Sequence, residues 1–251
     1  VRKPLIAGNW KMHMLADEAV ETANELKALV ADVSTVDIVV CPTFTALQAA
    51  GQALDGSNVE LGAQNCYCAE KGAFTAEISP QMLRDVGCTW VIIGHSERRQ
   101  IFGEQNGLLN KKLHYALEQG LKVMFCVGET LEEREGGTMN AVLGAQVNEG
   151  LAGLAEEAFA HIAVAYEPVW AIGTGVVATP EQAEEAHDFV RGLVRAQFGD
   201  AVAENLRIQY GGSVKPGNAG ELISKPNVDG FLVGGAALEA DSFAGIIQAG
   251  A

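Results

Sequence analysis

IAVAYEPVWAIGTGVVATPEQAEEAHDFVRGLVRAQFGD (162–200) holds one complete strand-and-helix unit. It opens on five residues, IAVAY, with no polar alternation. That is the pattern of a strand covered on both faces, as in a parallel sheet. Its second half carries a helix with both ends marked. Thr179 is a natural N-cap, Pro180 takes the first helical position, and Gln182 completes a Thr-x-x-Gln capping box. Ala183, Ala186, Phe189, Val190, Leu193 and Val194 then recur at spacings of three and four, and Gly199 ends the run. Eight residues after Asp200, IQY (208–210) begins the next apolar run.

The same unit recurs in both directions. Apolar runs stand at LIA (5–7), IVVC (38–41), VEL (59–61), WVII (90–93), VMFCV (123–127), IAVAY (162–166), IQY (208–210) and GFLVG (230–234). Their spacing averages roughly thirty residues, the length of a strand plus a crossover helix. Ala16–Val30 repeats the helical pattern through Ala19, Val20, Ala23, Leu26 and Val30. Eight doubly buried strands with helical crossovers and no linker predict one closed (β/α)8 barrel of α/β class over residues 1–251. An open doubly wound sheet is disfavoured, because the first run leads into GNWK and no GxGxxG opens a helix there.

Composition narrows the function classes. With 17 Lys and Arg against 32 Asp and Glu, the formal net charge is −15, which argues against nucleic acid and anionic membranes as partners. No run approaches the ~18 apolar residues of a membrane span, and VRKPLIAGNW (1–10) predicts no signal peptide. Five irregularly spaced cysteines (Cys41, Cys66, Cys68, Cys88, Cys126) suit free thiols in a reducing cytoplasm. Cys66-x-Cys68 has no partner pair at zinc spacing and reads as structural, so no metal site is expected.

In such a barrel, chemistry collects where strands end at their carboxyl side. Asn9 and Lys11 follow the first run, His95, Ser96 and Glu97 the fourth, and Glu167 the sixth. Gly-Gly-Ser (211–213) follows the seventh run, and Gly234–Gly235 closes the eighth. A Glu after a strand is usually a solvated loop residue. Glu167, however, is wedged between Tyr166 and Pro168 beside an apolar segment, where desolvation would raise its pKa towards that of a general base. Of the five histidines, His114 and His187 fall on helical patterns, His13 on a loop, and His161 before a strand. Only His95 stands at a strand end that becomes a helix start, where backbone N–H groups favour the neutral ring. Lys11 alone reads as a surface lysine; at a barrel mouth it is a point charge for a phosphate or an oxyanion. Paired glycines after the last two strands match the phosphate site that recurs in such barrels. The stretch 168–178 (Pro168, Val169, Trp170, Ala171, Ile172, Gly173, Thr174, Gly175, Val176, Val177, Ala178) is too long and apolar for a plain connection and reads as a lid.

GNWKMH (8–13), GAQNCY (62–67), GAFTAEIS (72–79), IIGHSERR (92–99), GET (128–130), AYEPVWAIGTG (165–175), IQYGGSVK (208–215) and DGFLVGGAAL (229–238) together resemble the triosephosphate isomerase family, in order and along nearly the whole chain. The resemblance implies an aldose–ketose isomerase of glycolysis and gluconeogenesis. Its reaction would be the cis-enediolate interconversion of dihydroxyacetone phosphate and glyceraldehyde 3-phosphate. Glu167 would be the base, His95 the neutral electrophile, Lys11 the electrostatic contact and Asn9 a further oxyanion donor. Glu97 would position Lys11, and Ser96 would hold Glu167 while the site is open. Backbone N–H groups of Gly173, Ser213, Gly234 and Gly235 would hold phosphate. Tyr210 and Ser213 would latch the lid, with Trp170 moving towards Glu129. A homodimer is implied in which the loop bearing Phe74 and Thr75 inserts beside the partner's site, with Met14 in the receiving wall. The sequence departs from the commonest family pattern at Ala237 and at Val176–Val177. Another phosphosugar barrel enzyme, such as an epimerase or aldolase, and a catalytically dead scaffold are the competing expectations.

Overall fold

The computed structural model describes residues 2–171 and 178–251. Eight strands, β1 (Leu5–Asn9), β2 (Asp37–Cys41), β3 (Val59–Ala63), β4 (Trp90–Ile93), β5 (Lys122–Val127), β6 (Ile162–Tyr166), β7 (Arg207–Tyr210) and β8 (Gly230–Val233), pair in parallel. β8 returns to β1 and closes the barrel. Each expected apolar run is a strand, extended by one or two residues at β1, β2, β3, β5 and β7 and one shorter at β8. The helix read from its two caps spans Pro180–Phe198, with the Thr179–Gln182 capping box formed in both directions.

Closure divides each strand's side chains between two compartments, because neighbours along a strand point to opposite faces. Ile6, Val40, Val91, Val123, Val164 and Ile208 pack outward with the helices in the larger core. Leu5, Ala7, Val39, Cys41, Trp90, Ile92, Met124, Cys126, Ala163, Ala165 and Leu232 form a separate inner cluster. Small residues on β1 and β6 make room there for Trp90, Met124 and Leu232 on β4, β5 and β8. At the amino ends of the strands the inward positions are charged. Arg207 pairs with Asp37 at 2.6 Å and Lys122 with Glu60 at 3.0 Å. Both cations lie over the Trp90 ring, at 5.4 and 5.0 Å, and stopper that end of the barrel. The opposite end is left for chemistry.

His187, on the Pro180–Phe198 helix, is fully buried behind β6 and β7, edge-on to Tyr166 at 5.7 Å. Its Nδ1 lies 3.0 Å from the Asn227 carbonyl, which only accepts, so Nδ1 carries the proton and the ring is neutral. Burial, reinforced by the nearby Arg191 cation, pushes its pKa down to about 4. The unfolded chain therefore takes up the proton first as pH falls, and stability present above the ordinary imidazole value drains away down to about 4. His187→Gln retains an N–H donor and cannot titrate. Urea unfolding of the two proteins from pH 7 to 4 should show wild type losing roughly 3 kcal/mol more than the variant. Parallel stability curves would refute the neutral buried ring.

Candidate active site

Strand phase decides which residues reach the mouth. Asn9 continues the inward series Leu5, Ala7, and Glu167 continues Ala163, Ala165. Gly211 follows inward Gln209, and Gly234 follows inward Leu232. His95 is out of phase with inward Trp90 and Ile92. Gly94, at φ +79°, makes the turn that brings it round, and His95 then caps the helix Ser96–Gln100.

These residues meet around a cavity of about 530 Å³ bordered by Asn9, Lys11, His95, Glu167, Gly211–Ser213, Leu232 and Gly234–Gly235. Glu167, His95, Ser96 and Asn9 are all buried. His95 Nε2 lies 3.0 Å from Glu167 Oε1. The Ser96 N–H donates to Glu167 Oε2 at 2.9 Å and the Ser96 hydroxyl to Oε1 at 3.1 Å. The Glu97 N–H donates to His95 Nδ1 at 3.3 Å, so that nitrogen is bare and the proton sits on Nε2. His95 is thus a neutral ring aimed as a donor into the site.

The charge balance corrects one expectation. Burial alone would raise the Glu167 carboxyl, as desolvation predicts. His95 and the two Ser96 donors outweigh burial and hold it below the ordinary carboxylate range. Burial likewise pulls the His95 ring down, but the adjacent Glu167 carboxylate carries it the other way, to a net rise, a pull towards the charged ring that the Glu97 N–H pointing at Nδ1 opposes. In this arrangement Glu167 is a parked carboxylate, not one already raised towards neutrality.

Lys11 sits at φ +51°, a left-handed conformation that costs a non-glycine residue about 1–2 kcal/mol. Its N–H donates to Asn9 Oδ1 at 3.0 Å, and Gln64 Nε2 donates to its carbonyl at 2.7 Å and to that of Cys41 at 2.9 Å. The strain serves to turn the ammonium inward, where it meets Glu97 Oε1 at 2.9 Å. Gly234 lies directly against this side chain, so that a β-carbon there would touch Lys11 Cε at 3.4 Å, an ordinary contact.

Of the expected lid, Pro168, Val169, Trp170, Ala171 and Ala178 are described, while Ile172, Gly173, Thr174, Gly175, Val176 and Val177 lie outside the described residues. Glu129 is fully buried, and its Oε1 accepts from Tyr166, from Trp170 Nε1 and from Arg134, each at 2.9 Å. Trp170 is therefore already on Glu129, with the Arg134 guanidinium 4.9 Å over its ring. Tyr210 packs so closely over Gly212 that a β-carbon there would overlap its hydroxyl. Ser213 borders the cavity nearby. Phe74 and Thr75 stand exposed at the tip of their loop, 64–79, and Met14 is half-buried on another, so both lie outside this cavity. Sequence reading passed over Gln64, Leu232 and Ser242. The first two follow from strand phase; Ser242, on the helix Ala240–Ala249, carries no such signal. No group of three His, Cys, Asp or Glu side chains able to hold a metal occurs among the described residues.

Gly128 tests how tightly Glu167, the candidate base, is set. A β-carbon there would collide with the Glu167 carbonyl oxygen. Gly128→Ala must therefore displace Glu167, and a shift of ~1 Å at a reacting group costs on the order of 10²-fold. Steady-state kinetics on folded Gly128→Ala should show that loss in kcat. A wild-type kcat would mean that the backbone of Glu167 is not held here.

A family model described as triosephosphate isomerase matches residues 4–250. Curated proteins named triosephosphate isomerase align along nearly the full chain. That of Carboxydothermus hydrogenoformans is 54% identical over 248 residues, 99% of each chain. That of Rhodopirellula baltica is 53% identical over 248 residues, 99% of this chain and 98% of the other. That of Fusobacterium nucleatum is 52% identical over 250 residues, all of both.

Proposed function

The chain belongs to the triosephosphate isomerase family and its reaction is the interconversion of triose phosphates, and from that premise we propose how its own residues carry the reaction. The observation that supports this reading most directly is the pairing of Glu167 with the Nε2–H of a neutral His95, 3.0 Å apart, in a cavity rimmed by two glycine turns.

Dihydroxyacetone phosphate enters with its phosphate against the backbone of Ser213, Gly234 and Gly235, Gly173 completing the grip. Glu167 leaves Ser96 and takes a proton from the carbon next to the carbonyl. The electron pair moves into a cis-enediolate whose oxygens face His95 Nε2–H, the Lys11 ammonium and Asn9. These donors are set before the charge develops, in a site that the proposed lid would close to water, where such stabilisation is strongest. Glu167 then returns the proton to the neighbouring carbon, giving glyceraldehyde 3-phosphate. No cofactor is needed for this sequence. The segment 168–178 acts as a lid that keeps water from the enediolate, latched through Tyr210, Ser213 and Glu129.

We read the whole chain, 1–251, as one barrel working in the cytoplasm, a reading that free Cys41, Cys66, Cys68, Cys88 and Cys126 support. We also propose a homodimer. The 64–79 loop is braced by a Tyr67 N–H···Ile78 carbonyl bond of 2.8 Å and by Tyr67–Phe74 ring packing at 4.7 Å, yet it leaves Phe74 exposed. Met12, Leu15, Ile101 and Phe102 are each more than 60% exposed. Apolar side chains left uncovered in this way favour a second copy as their cover.

Glu167→Gln removes the base and leaves the glycine turns intact. Its kcat should fall by ~10²–10⁴-fold while inhibition by inorganic phosphate is unchanged. Undiminished turnover would place the base elsewhere.

Deleting 73–75 should give a monomer by light scattering with reduced kcat. A fully active monomer would remove the loop's supporting role, and a wild-type protein monomeric at micromolar concentration would remove the dimer.

A further inference from the structure

Arg99 lies on the same short helix that His95 caps, on the far side of the base from the substrate cavity. Its Nε donates to the Gly94 carbonyl at 2.8 Å, its Nη2 to the Cys126 carbonyl at 2.9 Å, and its Nη1 to Asn106 Oδ1 at 2.7 Å. Asn106 is itself held, its Nδ2 donating to Glu149 at 3.0 Å. All three acceptors on Arg99 are neutral. Among the described residues no carboxylate forms an ion pair with it, whereas Arg98 next to it pairs with Glu104 at 2.7 Å. A second cavity of about 310 Å³, lined by Gly94, Ser96, Arg99, Asn106, Gln146 and Glu167, places the guanidinium and the base on one shared space.

The two carbonyls are informative. Gly94 is the φ +79° turn that swings His95 into the mouth. Cys126 immediately precedes Val127, whose carbonyl accepts the Glu167 N–H at 2.7 Å. One planar guanidinium therefore joins the strand end that carries the electrophile to the strand end that anchors the base.

We propose that Arg99 is a positioning residue of the isomerase reaction, bridging the ends of β4 and β5 so that His95 and Glu167 keep their working separation. This rests on the assignment of Glu167 and His95 given above. A fork spanning two carbonyls is a guanidinium's geometry, which a lysine ammonium does not reproduce. The fork also brings an unpaired positive charge behind the base, where the Glu167 carboxylate is one of the groups that feel it. That charge favours the ionised base in the free enzyme.

Arg99→Lys and Arg99→Gln separate bridge from charge. The measurements are kcat, KM and the pH profile of kcat/KM, with inorganic phosphate inhibition as the probe of the anion site. Both variants should lose about 10- to 100-fold in kcat through misplacement of reacting groups, with phosphate inhibition within twofold of wild type. The acid limb of kcat/KM should move to higher pH in Arg99→Gln and stay in place in Arg99→Lys. A purely structural brace would instead lower the thermal midpoint and leave kcat and the acid limb where they are, which overturns the proposal. If neither variant folds, Asn106→Ala loosens the guanidinium in place. A smaller kcat loss in the same direction supports the bridge, and an unchanged kcat overturns it. Glu167→Gln run in parallel keeps the two readings apart, because turnover surviving there would sink the assignment of the base before the question of Arg99 arises.

Discussion

The barrel interior accepts every second side chain from each strand, and the molecule's working parts depend on that restriction. Eight strands meeting around one axis would crowd it if each presented a large residue inward. Ala7, Ala163 and Ala165 therefore face Trp90, Met124 and Leu232. The same two-residue phase carries past the last strand residue, so Asn9 and Glu167 are inward by inheritance from the core residues beneath them. A one-residue slip in β6 would turn Glu167 out of the mouth and leave Tyr166, which has no carboxylate, there.

Charge buried in this frame is everywhere given donors or counter-charges, since an isolated buried ion costs several kcal/mol. Glu129 has a phenol, an indole and a guanidinium on one oxygen. Asp229 accepts from Arg2 and Arg191 at 2.6 Å each and from the Ile208 N–H at 2.9 Å. Arg99 differs, being a half-buried cation with only neutral acceptors, and so its field is free to act on the carboxylates around it. That difference from Arg98, its neighbour in sequence, cannot be seen from the residue type.

Much of this was legible beforehand, for identifiable reasons. Doubly buried strands announce themselves by unbroken apolar runs, and the Pro180–Phe198 helix by its capping chemistry, so the barrel follows from local signals. Residues next to the strand ends could be gathered onto one face without coordinates. What stayed hidden depends on contacts between segments far apart in the chain. Gln64 matters because it reaches the carbonyls of Lys11 and Cys41. Arg99 matters because it reaches Cys126. The sign of the Glu167 shift was misread for the same reason. Burial could be inferred from flanking Tyr166 and Pro168, but the donors from Ser96 and His95, some seventy residues away, could not.

The parked state of Glu167 has a consequence for how binding energy is used in the proposed reaction. Two Ser96 donors and the His95 Nε2–H hold the carboxylate, and charge-assisted hydrogen bonds of this kind are each worth roughly 1.5–3 kcal/mol. To reach a carbon acid the carboxylate must leave Ser96, which also removes two of the causes that depress its pKa. A base that moves away from its donors and into a drier cavity becomes more basic as it moves. The loss of those bonds must be offset by contacts made elsewhere on the substrate, and the phosphate, in the proposed grip of backbone at Ser213, Gly234 and Gly235, is the part with energy to spare. Gly211 fits this account. A β-carbon there would stand 3.0 Å from Glu167 Cγ, in the space the side chain needs in order to swing. In the proposed reaction the glycine after β7 would serve the motion of the base as well as the turn, and a site that parks its carboxylate at low pKa could still present a competent base once substrate is bound.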